Sequence, residues 1–379
     1  MKIKSVTKKR PTGHARRRRK VRVAIIGVGN CAQSLVECVQ YYQNAAENAT
    51  VPGLMHVNVG GYHVRDIEFS AAIDINKTKV GKDLADAIHA HPNNAVKICK
   101  VPRTGVIVQR GMTHDGIGMY LKDMVIPAKG DSVDVVQLLK DTRTDVVVNY
   151  LPVGSEEATK WYVEQVLEAG CAFVNCIPVF IAREKYWQRR FARAGLPILG
   201  DDIKSQVGAT ILHRTLTNLF LSRGMKILRT YQLNTGGNTD FLNMLERARL
   251  RSKKISKTNS VVSQINNKGL SIKPENVHIG PSDYVPWQKD NKIAFIRVEA
   301  LHIGDIPMEL ECRLSVQDSP NSAGIVIDAV RLAKLGLDRK LSGALKGPSS
   351  FLFKSPPIQP TDDEAWRMTD QFIKKYGWR

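Results

Sequence analysis

The feature that most constrains the fold is the segment VRVAIIGVGNCAQSLVE near the N-terminus. Val21–Ile26 is a β-branched run typical of a buried parallel strand, and helix-compatible residues follow from Asn30 to Gln40. The turn between them has the spacing Gly27-x-Gly29-x-x-Ala32, which is one form of the dinucleotide-binding fingerprint. Strand, glycine turn and helix in this order predict the first unit of a parallel α/β sheet.

Each small residue in this turn has a physical reason. Gly27 permits the tight turn, Gly29 lets the backbone approach a pyrophosphate, and Ala32 lets helix and strand pack closely. The helix N-terminus, which begins with Asn30 and Cys31, offers free N–H groups to the phosphates. The flanking pattern favours a cofactor site over an ordinary strand-to-helix turn.

The net charge of +20 is concentrated at the N-terminus, where residues 1–20 carry ten Lys or Arg and no acid. This stretch has no apolar periodicity, so we expect a disordered, solvated tail, with electrostatic binding to nucleic acid or an anionic surface as the alternative. No apolar run reaches the roughly 18 residues of a membrane span. The six cysteines form no C-x-x-C pair, which favours free thiols in a reducing cytoplasm.

Strands and helices alternate through the first half of the chain, which predicts a Rossmann-type, doubly wound parallel sheet. The predicted strands are 67–73, 106–109, 145–152, 172–178 and 197–202, and the predicted helices are 134–140, 156–169 and 184–194. Ligands of such sheets bind beyond the carboxyl ends of the strands. Candidate cofactor contacts at that edge are Asp74, Leu151, Pro152, Asn175, Pro178 and Asp202.

Asp74 stands where an acid accepts hydrogen bonds from an adenosine ribose and repels a 2′-phosphate, which favours NAD over NADP. An insertion over 41–66 places it 45 residues after Gly29, whereas the usual spacing is about 20. A solvated acid at a strand end is therefore the alternative.

The pattern after residue 202 is that of a second, α+β domain. Its predicted elements are helix 205–224, strand 227–233, helix 240–250, an antiparallel pair at 292–303 and 308–316, helix 319–336, a loop-like stretch at 343–360 and helix 362–375. The predicted division is a tail at 1–20, a dinucleotide-binding domain at 21–202, the α+β domain at 203–318, and a segment at 319–379 that returns to the first domain.

Lysines lie beside carboxylates in this second half. DDIKSQ opens a predicted helix whose N-terminus suits a phosphate, with Lys204, Ser205 and Gln206 as its candidate ligands. Lys253 and Lys257 are four residues apart and share a face if helix persists there. Such lysines accept protons when desolvated among cations and stabilise an alkoxide or enolate when charged. A basic, solvated helix face is the alternative.

Ten segments resemble, in the same order, those of the myo-inositol-1-phosphate synthase (inositol-3-phosphate synthase) family, particularly its actinomycete-like branch. They are VRVAIIGVGNCAQSLV, VPGLMHV, VNYLPVGSEEA, FVNCIPVFIA, LGDDIKSQVGAT, LNTGGNTDFLNMLE, SKKISKT, VHIGPSDYV, DSPNSAG and KSPP. The combination of DDIKSQ, GGN-x-DFLNM and SKKISKT is the most specific part. The resemblance spans 21–357 and favours catalytic lysines over a solvated face.

The resemblance implies an NAD-dependent isomerase of inositol and phospholipid biosynthesis. In the family, bound NAD oxidises C5 of D-glucose 6-phosphate, loss of a C6 proton gives an enolate, an intramolecular aldol reaction closes the ring, and the returning hydride yields 1D-myo-inositol 3-phosphate. The resemblance also implies a cytoplasmic homotetramer whose second domain carries catalysis and oligomerisation. Some bacterial members carry a divalent metal, but no ligand cluster in this sequence requires one, so the metal content stays open.

Matched to the family's motifs, the catalytic residues are expected to be Lys253, Lys257, Lys292, Lys354, Asp202, Asp240 and Asp318. We expect Lys253 and Lys354 near the sugar O5, and Lys257 and Lys292 near the phosphate. Two alternatives remain at this stage. One is an ordinary NAD-dependent dehydrogenase of a small anionic substrate, and the other is a nucleotide-sensing or nucleic-acid-binding protein.

Overall fold

The computed structural model describes residues 19–246 and 251–378, without the side chains of 251–254 and 281–282. Most of the basic tail thus lies outside the described residues. Its last two residues have partners, because the Arg19 guanidinium lies 4.1 Å from the ring centre of Trp378 and Lys20 pairs with Glu68 at 2.7 Å. None of the described helices is long and apolar enough to cross a membrane.

The described strands and helices follow in chain order as β1 (Val21–Ile26), α1 (Asn30–Tyr42), β2 (Asn58–Val59), β3 (Tyr62–His63), β4 (Ile67–Asp74), α2 (Leu84–Ala87), β5 (Val108–Arg110), α3 (Val135–Asp141), β6 (Val146–Asn149), α4 (Glu156–Ala169), β7 (Ala172–Asn175), α5 (Lys185–Ala194), β8 (Pro197–Leu199), α6 (Ala209–Ser222), β9 (Lys226–Gly236), α7 (Thr239–Asn243), α8 (Arg251–Asn266), β10 (Val277–Tyr284), β11 (Asn291–Leu301), β12 (Pro307–Gln317), α9 (Asp318–Asp338), β13 (Gly343–Ala344), α10 (Lys346–Leu352) and α11 (Asp362–Tyr376).

A seven-stranded parallel sheet has the order β13-β8-β7-β6-β1-β4-β5, which contains the doubly wound Rossmann order. Alternate residues of β1 face opposite sides of the sheet. Val23 and Ile25 pack with α1 and α9, whereas Ala24 and Ile26 pack with α3, α4 and α5. Burial on both faces explains the continuous apolar run, and it confirms the predicted fold class.

A second, four-stranded sheet has the order β10-β9-β11-β12. β11 is antiparallel to both β9 and β12, and β10 is parallel to β9. Helix α6 packs against β9 and β11, and α8 packs against β10 and α6. Helix α8 therefore stands directly beside the sheet that carries Lys292 at the start of β11.

Two predicted elements were wrong in detail, and one strand was missed. The helix predicted over 240–250 ends early, because α7 stops at Asn243; residues 247–250 lie outside the described residues, and the next described helix, α8, begins at Arg251. The stretch 343–360 is not a loop throughout, because it contains β13 and α10, with Pro348 tolerated in the first turn of α10. Strand β10 was missed because Gly280 and Pro281 read as breakers, yet an edge strand tolerates proline.

The C-terminal part of the chain packs on the parallel sheet. Helix α9 begins directly after β12, contacts α1 and lies along β7 and β8, and most of its side chains are buried. Strand β13 then pairs in parallel with β8 through Gly343 and Ala344. This path places the residues at the start of α9 and after α10 beside the carboxyl ends of the parallel strands.

Candidate active site

One cavity with a volume of about 300 Å³ lies between the two sheets, at the carboxyl ends of the parallel strands. Residues of the parallel sheet line one side, and residues of α7, α8, β11, α9 and the segment after α10 line the other. Of the residues expected from the sequence, the cavity is lined by Gly27, Gly29, Asn30, Cys31, Asp74, Leu151, Pro152, Pro178, Asp202, Ser205, Asp240, Lys257, Lys292, Asp318 and Lys354.

The glycine turn at one end of the cavity requires glycine at position 27 and leaves open space at position 29. Gly27 has φ +90°, and an added Cβ would lie 2.7 Å from the carbonyl oxygen of Tyr150. Gly29 instead faces open space. Helix α1 has no side-chain cap and no acidic residue in its first turn, so its N–H groups remain available to an anion. These features fit a dinucleotide diphosphate.

Asp74 braces this turn from the end of β4. Its carboxylate accepts the backbone N–H of Val28 at 2.8 Å and that of Asn76 at 2.8 Å. Lys79, buried in the cavity wall, lies 4.0 Å from Asp74 and donates to the carbonyl oxygen of Val28 at 2.7 Å. Sequence reasoning missed Lys79, because nothing in a loop lysine signals that its ammonium reaches back to the turn.

Lys354 and Asp202 form an ion pair on the far side of the cavity, with 2.7 Å between Nζ and Oδ1. A backbone hydrogen bond joins the same two residues, because the Lys354 N–H donates to the carbonyl oxygen of Asp202 at 2.7 Å. The positive φ of Asp202, +61°, belongs to the same sharp turn after β8. Residues 152 positions apart are thus fixed side by side.

Lys292 and Asp318 form a second ion pair at 3.0 Å, where β11 begins and α9 begins. Burial alone lowers the pKa of Lys292, but the carboxylates of Asp318, Asp240 and Asp202 outweigh it and raise the pKa above its ordinary value. This ammonium therefore stays charged at neutral pH. Lys257 lines the same cavity from α8 and is almost fully buried.

Asp290 is a buried carboxylate that the sequence did not identify. It accepts hydrogen bonds from Asn30 Nδ2 at 3.1 Å, Asn238 Nδ2 at 3.0 Å, and both the N–H and the hydroxyl of Ser319, at 3.0 and 2.8 Å. Burial, assisted by the nearby charge of Asp318, raises its pKa. Asp290 thereby ties the first residue of α1 to the Asn238 cap of α7 and to α9.

The structure places four expected contacts elsewhere. Lys204 is buried outside the cavity lining, where its ammonium donates to the carbonyl oxygen of Ser350 at 3.0 Å and to Asp362 at 3.3 Å. Burial, with repulsion from Arg214, lowers its pKa to about 8. A phosphate role for Lys204 is therefore corrected to a structural one. Three further expected residues do not line the cavity within the described part of the chain, namely Ala32, Asn175 and Gln206.

Each of these three has a local explanation. Ala32 packs in the apolar core between α1 and the sheet, which is the helix–strand packing expected of a small residue at this position. Asn175 donates to Asp201 at 2.7 Å and to the carbonyl oxygen of Val179 at 2.7 Å. The backbone N–H of Gln206 donates to the carbonyl oxygen of Asn321 at 2.8 Å, and its side-chain amide lies beside Gly324. The side chain of Lys253 lies outside the described residues, so the expectation for it stays a prediction.

The thiols in the cavity wall are not activated. Burial raises the pKa of Cys31 to about 12, and the carboxylates of Asp290 and Asp318 add to the effect. Cys176, also at the cavity, has its pKa raised by burial as well. Both therefore remain protonated. Among the described residues, no group of three or more His, Cys, Asp or Glu is arranged to hold a metal ion.

Comparisons with known proteins agree on one family. The family model for myo-inositol-1-phosphate synthase matches residues 208–319. The chain is 56% identical over 355 residues to a protein named inositol-3-phosphate synthase from Mycolicibacterium smegmatis, covering 93% of this chain and 98% of that one. A protein of the same name from Corynebacterium glutamicum is likewise 56% identical, with the same coverage. The solved inositol-3-phosphate synthase of Caenorhabditis elegans shares the fold, with a TM-score of 0.68, 17% identity, and coverage of 95% of this chain and 85% of that one.

Proposed function

The chain belongs to the myo-inositol-1-phosphate synthase family, and from this premise we propose that it converts D-glucose 6-phosphate into 1D-myo-inositol 3-phosphate with NAD recycled in each turnover. The observation that carries the proposal is the single cavity that runs from the glycine turn at Gly27 to the ion pairs of Lys292 and Lys354. A dinucleotide at the turn and an anionic sugar among the lysines meet in that space.

NAD fits the residues at the sheet edge. The turn leaves no room for a Cβ at Gly27 and open space at Gly29, and the uncapped start of α1 faces the same cavity. Asp74 lines the wall where an adenosine ribose is expected, and Leu151 and Pro152 follow the central strand β6. When bound, NAD supplies the capacity to take a hydride from C5 of the sugar and to return it.

The lysines supply the electrostatics of the reaction. Negative charge develops in turn on the C5 oxygen, on the enolate and on the C1 oxygen as the ring closes. The ammonium groups of Lys257, Lys292 and Lys354 surround one cavity and are held in place by the fold, so they stabilise each oxyanion by a few kcal/mol without reorganising. Pairing with Asp318 and Asp202 fixes the positions of Lys292 and Lys354.

We place the phosphate of the sugar near Ser205 and Lys257. Ser205 lines the cavity just before α6, and Lys257 reaches it from α8. An ammonium and a hydroxyl provide the donors that a phosphate accepts. Lys204 has no part in this assignment, because its ammonium is engaged with Asp362 behind the cavity wall.

We also infer that the protein self-associates, with a tetramer as the expected state. Among the described strands, β12 pairs only with β11, so it leaves one edge of the four-stranded sheet open. Phe295 of β11 is 42% exposed, and Trp287 before β11 is 82% exposed. Open sheet edges and exposed large apolar side chains favour pairing with another chain. Light scattering coupled to size-exclusion chromatography measures the subunit number, and a monomeric mass would contradict this inference.

The test of the reaction uses trace NAD. The protein is incubated with excess glucose 6-phosphate, and inositol phosphate is followed by ³¹P NMR together with the absorbance at 340 nm. Product that exceeds the added NAD many times, with no lasting absorbance, supports the proposal. Reduced cofactor accumulating in proportion to turnover would instead identify a conventional dehydrogenase.

A matched pair of variants links turnover to the cavity. Lys354→Met removes an ammonium that lines the cavity, whereas Lys346→Met removes an exposed lysine from α10 of the same segment. We expect the first to abolish most of the turnover and the second to leave it unchanged. Equal activity in both variants would contradict the role given to Lys354.

A further inference from the structure

We propose that Ser256 is a positioning residue of this reaction, which acts through Asp202 to hold the Lys354 ammonium in the cavity. The inference rests on the proposed function and deepens it by adding a residue that does not line the cavity. Ser256 lies on α8 immediately before Lys257, and its side chain is fully buried.

The two oxygens of Asp202 have different partners. Oδ1 accepts from the Lys354 ammonium at 2.7 Å, and Oδ2 accepts from the hydroxyl of Ser256 at 2.7 Å. The hydroxyl of Ser355 donates to Ser256 Oγ at 2.9 Å, which leaves the Ser256 proton for the carboxylate. Two distant segments, α8 and the stretch after α10, therefore converge on the carboxylate of Asp202.

The direction of these hydrogen bonds explains what Ser256 does. A carboxylate that accepts a charge-assisted hydrogen bond on each oxygen is fixed in orientation. Asp202 is almost fully buried. Without the Ser256 hydroxyl, its Oδ2 would have no hydrogen-bond donor, and the carboxylate would rotate toward the Lys354 ammonium. Because displacements of about 1 Å cost catalysis heavily, the ammonium of Lys354 would no longer meet the developing oxyanion.

Helix α8 has an anchor that does not involve Ser256. This matters because Lys257, the neighbour of Ser256 on the helix, lines the cavity. Arg214 holds the next turn of α8 by donating to the carbonyl oxygen and the hydroxyl of Ser260. The helix is therefore already anchored when Ser256 is removed, and loss of the hydroxyl acts mainly on Asp202 and Lys354.

The first measurement compares two buried serines. Ser256→Ala removes the donor to Asp202, whereas Ser349→Ala removes a buried hydroxyl that has no hydrogen-bond partner among the described residues. We expect Ser256→Ala to lower kcat about tenfold or more, with the KM for glucose 6-phosphate and the calorimetric affinity for NAD within about twofold of wild type. Ser349→Ala should match wild type in all three quantities. Ser256→Thr keeps the hydroxyl and should restore most of kcat.

The second measurement asks whether Ser256 acts through Lys354. In a Lys354→Met background, Ser256→Ala should reduce the residual rate less than about twofold, because its target is already gone. A full tenfold loss in that background would overturn the proposal, and so would an unchanged kcat or a loss confined to KM in the single variant.

If Ser256→Ala does not fold, the nearly isosteric Ser256→Cys replaces it, and a wild-type kcat there would also overturn the proposal. Wild-type turnover is measured in parallel, so failure of the proposed function itself would be seen separately.

Discussion

Replacing Asp362 by Asn tests why the Lys204 ammonium lies outside the cavity lining. Asp362 opens α11, and its carboxylate accepts from Arg214 Nε at 2.9 Å and from Lys204 Nζ at 3.3 Å. Both cations are almost fully buried, with side chains 1% and 2% exposed. The neutral amide would leave two buried positive charges without a counter-ion.

The expected loss follows from these exposures. Removing one partner of a fully buried ion pair costs about 3–5 kcal/mol. Because the side chain of Asp362 is itself 33% exposed, solvent screening reduces the expected loss to about 2–3 kcal/mol. At about 2 °C per kcal/mol for a long chain, the midpoint of thermal unfolding should fall by about 5 °C.

The pH dependence has a defined sign. The folded-state pKa of Lys204 is about 8, below the ordinary 10.5, so the folded state holds that proton less tightly than the unfolded state. Stability therefore gains from this group as the pH rises between about 8 and 10.5. Asp362 raises this pKa, so without its carboxylate the gain should begin at a lower pH.

The control is Asp363→Asn, which removes an exposed carboxylate from the same first turn of α11. It loses the same favourable interaction with the helix dipole, worth about 0.5 kcal/mol, but leaves Lys204 and Arg214 paired. Thermal melts of both variants by circular dichroism make the comparison. Equal midpoints would refute the argument that the buried cations depend on Asp362.

Lys204→Met should lower the thermal midpoint while leaving the KM for glucose 6-phosphate within about twofold of wild type, whereas a large rise in KM would restore the phosphate role. Gly27→Ala should weaken NAD binding about tenfold in calorimetry, because its Cβ would meet a carbonyl oxygen at 2.7 Å. Gly81→Ala, which also has positive φ but open space around it, should bind NAD normally. Asp318→Asn should move the alkaline limb of the kcat profile to lower pH, because it removes the carboxylate that most raises the pKa of Lys292; an unmoved limb would show that Lys292 deprotonation does not limit turnover.

Much of the molecule follows from local patterns in the chain. The β-branched run at Val21–Ile26 and the glycine turn after it predict the first strand of the parallel sheet and the glycine turn at the cavity, because strand periodicity and turn chemistry are properties of neighbouring residues. The lysines and aspartates of the cavity also come from short motifs. Motif order alone identifies the family, which the comparisons confirm.

Other parts depend on segments that are distant in the chain. Strand β10 forms because β9 offers an edge, despite Gly280 and Pro281. Asp290 becomes a junction only when Asn30, 260 residues away, is brought to it. No local pattern contains these partners.

Lys204 shows most clearly what a local sequence pattern does not predict. Its place in DDIKSQ suggests phosphate binding, but the tertiary structure turns its ammonium to Asp362, 158 residues away. The sequence by itself therefore determined the parallel sheet, the cofactor turn and the types of residue at the site. Only the tertiary structure decided which lysines face the cavity, since the partner of a buried charge is set by the packing of distant segments rather than by its neighbours in the chain.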